Sequence, residues 1–287
     1  MKLSRLAPLL GSVLALCPAA CGDGLRLDVV RDECMDDPTK AEPGVCGCGV
    51  AETLCASLAR SLIHRYGFDG VGTLAVDSVG TADGLIVNAE LAGTGQLDLG
   101  GATGEQYVDL PNGMISVLDS ATFEAWVIWH ALKPAHWERI FDFGVSTLGE
   151  DQRSDGYSYL FLAPELFRTA FRNAATIPAH AATSGEVRVD AEDPFPVGEL
   201  SHVAVVVDPA ATELRLYLNA EFQGGTALTE PLSSINDVNN WLARSQFVAD
   251  TQFAGSLVEF RIYDTALTQS ELQSSLLLGP SPYFVEH

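Results

Sequence analysis

Apolar and polar positions alternate with a period of two through most of the chain. The clearest run is ATFEAWVIW at 121–129. Phe123, Ala125, Val127 and Trp129 fall on one face, and Glu124, Trp126 and Ile128 on the other. RIFDFG, YSYLFLA, LFRTAFR, EVRVD, HVAVVVD, ELRLYLN and SLVEFRIY follow as further strand candidates between turns. No long helical pattern separates them, so the alternation predicts an all-β sandwich of two antiparallel sheets. Several strands are apolar on both faces, as expected where one sheet lies under loops or a ligand face. Two short stretches read differently. AETLCASLARSLI carries Leu54, Leu58 and Leu62 at helical spacing. Thr268-Gln-Ser-Glu271 is a capping box that predicts a short C-terminal helix, ended by Gly279-Pro280.

The N-terminus reads as a targeting segment. Lys2 and Arg5 precede a short apolar run, Leu6–Leu16, which is too short to span a bilayer. Small residues then precede Cys21, an arrangement similar to a bacterial lipoprotein processing site with Cys21 as the lipidated residue. The alternative is ordinary signal cleavage after Ala19 or Ala20. Either implies export to the cell envelope or beyond, and a lipid on Cys21 implies a membrane anchor and nothing deeper. Set aside Cys17 and Cys21, and four cysteines remain: Cys34, Cys46, Cys48 and Cys55. All lie in one small segment, which points to disulfides in an oxidising compartment. Three pairings are open. The CxC spacing lacks the paired CxxC of a zinc ribbon. The expected division is a signal over 1–21, a Cys-rich spacer with a short helix over 22–62, and the sandwich over 63–287.

Charge narrows the partners. Lys and Arg number 16 against 38 Asp and Glu, a net charge of −22, which disfavours nucleic acid and anionic membrane surfaces. No Gly-x-Ser-x-Gly elbow and no HxxxH pair occurs. Glycosidase chemistry on a sandwich needs two carboxylates on one strand face. TFEAWVIW offers only Glu124, and RIFDFG only Asp142. A lyase constellation of His202, Arg215, Tyr217 and Arg139 is weighed and set below a non-catalytic reading.

In order, HRYGFDG, DSVG, YVDLPNG, TFEAWV, RIFDFG, SYLFLA, HVAVVVD, LRLYLN, NWLARSQ and EFRIYDTAL resemble the bacterial laminin-G-like, concanavalin A-like jelly-roll family over most of residues 63–275. The resemblance implies a jelly-roll sandwich, a glycan or surface-protein partner, and in many members calcium. Two positions differ from the common pattern. Val258 stands where an acid is common in the last strand, and Ala243 where glycine is common. For calcium the expected oxygens are Asp69, Asp77 and Glu259, if the first and last strands are neighbours. For a sugar, aromatic faces beside planar polar groups are needed. Trp137, Tyr157, Asn239, Asn240, Trp241 and Arg244 are the expected ligand residues. The reading is a non-catalytic envelope binding module with a glycan ligand preferred over a protein partner.

Overall fold

The structure is a computed structural model that describes residues 34, 35, 40, 48–100, 105–131, 137–173 and 185–280. The signal, Cys21 and Cys46 lie outside the described residues. A helix, α1 (Glu52–Ser61), leads into β1 (Leu62–Tyr66), β2 (Val71–Gly72), β3 (Leu74–Ala75), β4 (Gly84–Val87), β5 (Leu91–Ala92) and β6 (Leu97–Leu99). Then come β7 (Tyr107–Leu110), β8 (Ala121–Trp129), β9 (Phe141–Ser146), β10 (Gly156–Ala163), β11 (Arg168–Arg172) and β12 (Val187–Asp190). β13 (Leu200–Asp208), β14 (Glu213–Leu218), β15 (Glu221–Ala227), β16 (Asn239–Leu242) and β17 (Gly255–Tyr263) complete the strands, and α2 (Gln269–Leu278) follows.

The strands form the expected jelly-roll sandwich. One sheet runs β1-β17-β8-β13-β14-β15, with β6 also on β17. The facing sheet runs β12-β11-β10-β9-β16-β7-β4-β3. All ladders between these strands are antiparallel. The core is built as the alternation requires. Phe123, Ala125 and Val127 of β8 meet Phe141 and Phe143 of β9 across the sandwich, with Phe260 of β17 against both phenylalanines. In β17 a bulge sets Val258 between Leu257 and Glu259. The extra residue restores the alternation, so Leu257 and Phe260 both point into the core while Glu259 and Arg261 point out.

The outer face of the first sheet is covered by the two helices. Cys55, Leu58 and Leu62 share a buried cluster with Ala204, Val206, Tyr217, Tyr263, Leu272 and Leu278. Residues Val50–Leu62, expected in a spacer, therefore belong to the body of the sandwich. The reason is that the apolar stripe of α1 has the outer face of β13, β14 and β17 to bury against. Cys34 is bonded to Cys48. Cys55 is also disulfide-bonded.

Beneath the helices lies a buried ionic network. Arg65 grips Glu259 through Nε and Nη2, at 3.0 and 2.7 Å. Arg261 pairs with the same carboxylate, stacks on Trp126 at 4.4 Å, and donates to Ser275 Oγ and Gly279 O at the end of α2. Glu124 accepts from Ser275 Oγ at 2.8 Å and lies 3.0 Å from His202 Nε2. Each carboxylate and guanidinium has a charged or hydrogen-bonded partner, which is what lets these groups sit away from water, while His202 Nδ1 is left without one among the described residues.

Candidate functional site

The outer face of the second sheet carries a cleft. On β10, Leu160 and Leu162 enter the core, so Tyr159, Phe161 and Ala163 turn outward. With Ala170 of β11 and Phe247 of the loop after β16 they form a small apolar floor separate from the main core. Trp137, Phe161 and Phe247 supply the aromatic lining of a cavity of ≈ 290 Å³, and Arg139, Arg168 and Arg188 its cationic lining. Glu186 and Asp250 complete it.

Trp137 is held by both of its backbone polar groups. Its N–H donates to Glu165 Oε2 at 2.6 Å, and its carbonyl accepts from Arg139 Nη1 at 2.7 Å. Its φ is +63°, a left-handed backbone that a bulky residue adopts only when its surroundings impose it. The half-buried indole is also stacked with the Arg168 guanidinium at 4.9 Å.

Arg139 is nearly fully buried. Its guanidinium lies 3.9 Å over the Phe161 ring, 2.9 Å from Asp250 and 3.4 Å from Asp142. Asp142, on β9, has no exposed surface. Burial pushes its carboxyl up to about 7, against the pull of Arg139 and the Gln246 N–H. Burial also raises Asp250, with Arg139 and Ser245 opposing. The loop that carries Phe247 and Asp250 is pinned by Arg153, whose Nη2 donates to both their carbonyls, at 2.6 and 2.8 Å. Glu186 accepts from the Tyr159 hydroxyl at 2.6 Å.

Of the expected ligand residues, only Trp137 lines this cleft. Tyr157 is half-buried on β10 and is not among the lining residues. Asn239, Asn240, Trp241 and Arg244 are corrected: they are buried and engaged inside the protein. Trp241 is 0 % exposed, donates to Asp109 at 3.0 Å and lies 4.0 Å under the Arg244 guanidinium. Arg244 is paired with Glu105 at 2.8 Å. Asn239 is hydrogen-bonded to Gly149, Asp151 and Gln246, and Asn240 to Pro111 and Asp237. β16 is an inner strand with a neighbour on each side, so its polar residues serve loops folded over it.

Two of the three expected calcium residues, Asp77 and Glu259, are likewise spent. β1 and β17 are neighbours as expected, but Glu259 meets Arg65 and Arg261. Asp77 accepts from the N–H groups of Arg65, Gly80 and Ala82 and lies 2.7 Å from His64. Burial raises its pKa, but His64 and those N–H groups outweigh it and hold the carboxyl well below the usual range. Asp69 is exposed. Among the described residues no group of three or more His, Cys, Asp or Glu is placed to hold a metal ion. The weighed lyase set is divided too: His202 is buried on the first sheet beside Trp126, whereas Arg139 lies over the second.

Sequence reasoning missed Arg168, Arg188, Phe161, Glu186, Phe247 and Asp250. A signal was present: in FRTAFR and EVRVD the arginines alternate with the apolar positions, which puts them on the outer face of adjacent strands.

The outer face of the second jelly-roll sheet thus presents an open floor of aromatic rings under fixed guanidinium and carboxylate groups. Residues 102–273 match the concanavalin A-like lectin/glucanases superfamily, of the laminin-G type, and the chain belongs to that family. Among solved structures it is similar to Trypanosoma rangeli sialidase, with a TM-score of 0.55 and 14% identity, covering 81% of this chain and 34% of that one. It is similar to the binding domain of botulinum neurotoxin serotype D, with a TM-score of 0.53 and 13% identity, covering 76% and 51%. Domain 4 of an extracellular arabinanase from Geobacillus stearothermophilus, in complex with arabinotriose, aligns with a TM-score of 0.49 and 17% identity over 74% and 97%. The chain thus spans about a third of the sialidase and half of the neurotoxin domain, and these likenesses show the fold. No curated protein sequence matches the chain.

Proposed function

We propose that this protein is an exported, non-catalytic carbohydrate-binding module, with the cleft at Trp137 as its sugar site. The observation that carries the reading is the pinned indole. A tryptophan whose N–H and carbonyl are both captured, at the lip of an aromatic-floored cleft, is a rigid platform for the CH face of a pyranose. Glu186, Arg168 and Arg188 stand beside it to read hydroxyls. Membership of a lectin/glucanase superfamily and a neurotoxin binding domain of like fold agree with it.

The non-catalytic part rests on the carboxylates. Hydrolysis needs two that reach the glycosidic bond. Asp142 is sealed below the floor, and Asp250 is engaged by Arg139 and Ser245. Export rests on the disulfide and on the targeting sequence, with lipidation of Cys21 as the anchor. Among the described residues no helix is long and apolar enough to cross a membrane.

The test is a glycan panel probed with the purified protein and with Trp137→Ala. Stacking of this kind contributes about 1 kcal/mol or more, so affinity should fall by roughly tenfold with the melting temperature nearly unchanged. Undiminished binding by Trp137→Ala would move the site elsewhere. A blank panel from folded protein would move the reading to a protein partner.

A further inference from the structure

We infer that the cleft selects an acidic saccharide, and that Arg168 and Arg188 together receive a carboxylate on the sugar ring, as in a hexuronate. This rests on the glycan reading of the same cleft. It follows from how the cationic groups are matched, beyond the mere presence of an aromatic platform.

The molecule as a whole has a net charge of −22. The cleft breaks that trend, with three arginines against two acids among its lining residues. Arg139 is satisfied at the floor by Asp142 and Asp250. Arg168 and Arg188 are matched differently. Both turn Nε to one carboxylate, Asp190, which gives one oxygen to each. Among the described residues Arg168 makes no hydrogen bond through its two terminal nitrogens, although its side chain is only 13 % exposed. Arg188 is half exposed, and its Nη1 lies 3.9 Å from Glu186, beyond hydrogen-bond length. Glu186 meanwhile accepts from Tyr159.

Two guanidiniums on neighbouring strands therefore share Asp190, with Glu186 a second and looser ion partner of Arg188, and keep terminal N–H groups unspent. Arg168 and Arg188 sit on β11 and β12, at adjacent positions in the ladder around Ala170↔Arg188 and Arg168↔Asp190. A planar carboxylate accepts from such a fork with two parallel hydrogen bonds. The Arg168 plane is kept in place by its stack on Trp137, so the platform for the ring and the receptor for the acid are one assembly. The molecule as a whole is acidic, so selection comes from these short contacts and long-range attraction plays little part.

The experiment is titration calorimetry of the purified protein with a panel of oligouronates, each as free acid and as methyl ester, beside a sulfated and a neutral oligosaccharide. Esterification removes the charge and keeps the ring. The expected result is at least tenfold tighter binding of a free acid than of its ester, with Arg168→Gln and Arg188→Gln each drawing that ratio toward one. Arg168→Lys, which keeps the charge without the planar fork, should recover only part of the ratio. Melting temperatures of the variants confirm that they are folded. Equal binding of acid and ester, or preference for the sulfated sugar, overturns this inference and leaves the glycan site standing. Failure of every sugar to bind overturns both.

Discussion

Ala243 shows how a single residue with a side chain holds a left-handed backbone without losing the fold. Its φ is +66°, the left-handed region where a side chain costs about 1–2 kcal/mol. A glycine would meet this backbone without that cost. The methyl is buried in the core, however, and recovers about 0.8 kcal/mol. Ala243→Gly should therefore shift stability in urea unfolding by less than ~1 kcal/mol, whereas Ala243→Val should destabilise by ~2 kcal/mol or more, the β-branch compounding the strain. Asp142 sets a pH dependence. Its pKa rises from 3.8 to about 7 on folding. Between those values the folded state holds the proton that the unfolded state has released. Stability then falls as pH climbs from about 4 to 7, and Asp142→Asn should flatten that slope in unfolding curves taken across the range. Asp77 acts with the opposite sign: its pKa drops on folding, so its contribution is present above the usual carboxylate range and is lost below it. The same scale explains what the sequence revealed of the site. Trp137 was legible because its flanks in KPAHWER are polar. Trp241 has equally polar flanks, Asn239, Asn240 and Arg244, yet they are its burial partners rather than its solvent neighbours. Local polarity does not tell a loop from an inner strand whose outer face is roofed by another loop.

Elements were more legible than sites. Strands of period two and the Thr268–Glu271 box correspond to formed structure: Thr268 caps α2, with both halves of the box in place. Removing it as Thr268→Ala should cost about 1 kcal/mol. Less legible was why β8 and β17 carry charges on an apolar face. Glu259 was expected as a calcium oxygen and Glu124 as a lone carboxylate on its strand, and the contacts of Arg261 with the end of α2 are not encoded in periodicity. Arg261 couples β17 to the last turn of α2 and balances two buried acids. Arg261→Met should lower stability by about 3 kcal/mol, because it removes the cation the two acids share and leaves Glu259 to Arg65 alone and Glu124 to His202 and Ser275. Limited proteolysis should then cut first within α2.

At the scale of the whole molecule, excess acidity is the dominant electrostatic fact. A net charge of −22 repels itself, so modest salt should raise the melting temperature. Calcium should raise it no more than magnesium at equal ionic strength, since Asp77 and Glu259 are already committed to hydrogen bonds and arginines. A calcium-specific rise, reversed by chelator, would contradict that assignment. The packing of α1, expected in a spacer, on the apolar outer face of β13 and β14 is a long-range fact that its own helical pattern does not encode. That packing has a bearing on how the protein meets its surroundings. The backbone enters through α1 on one broad side of the sandwich, while the cleft opens on the other. Any tether joined ahead of Val50 thus attaches at the back. Such a tether would hold the sandwich as a handle holds a mirror, from behind, with the cleft turned outward.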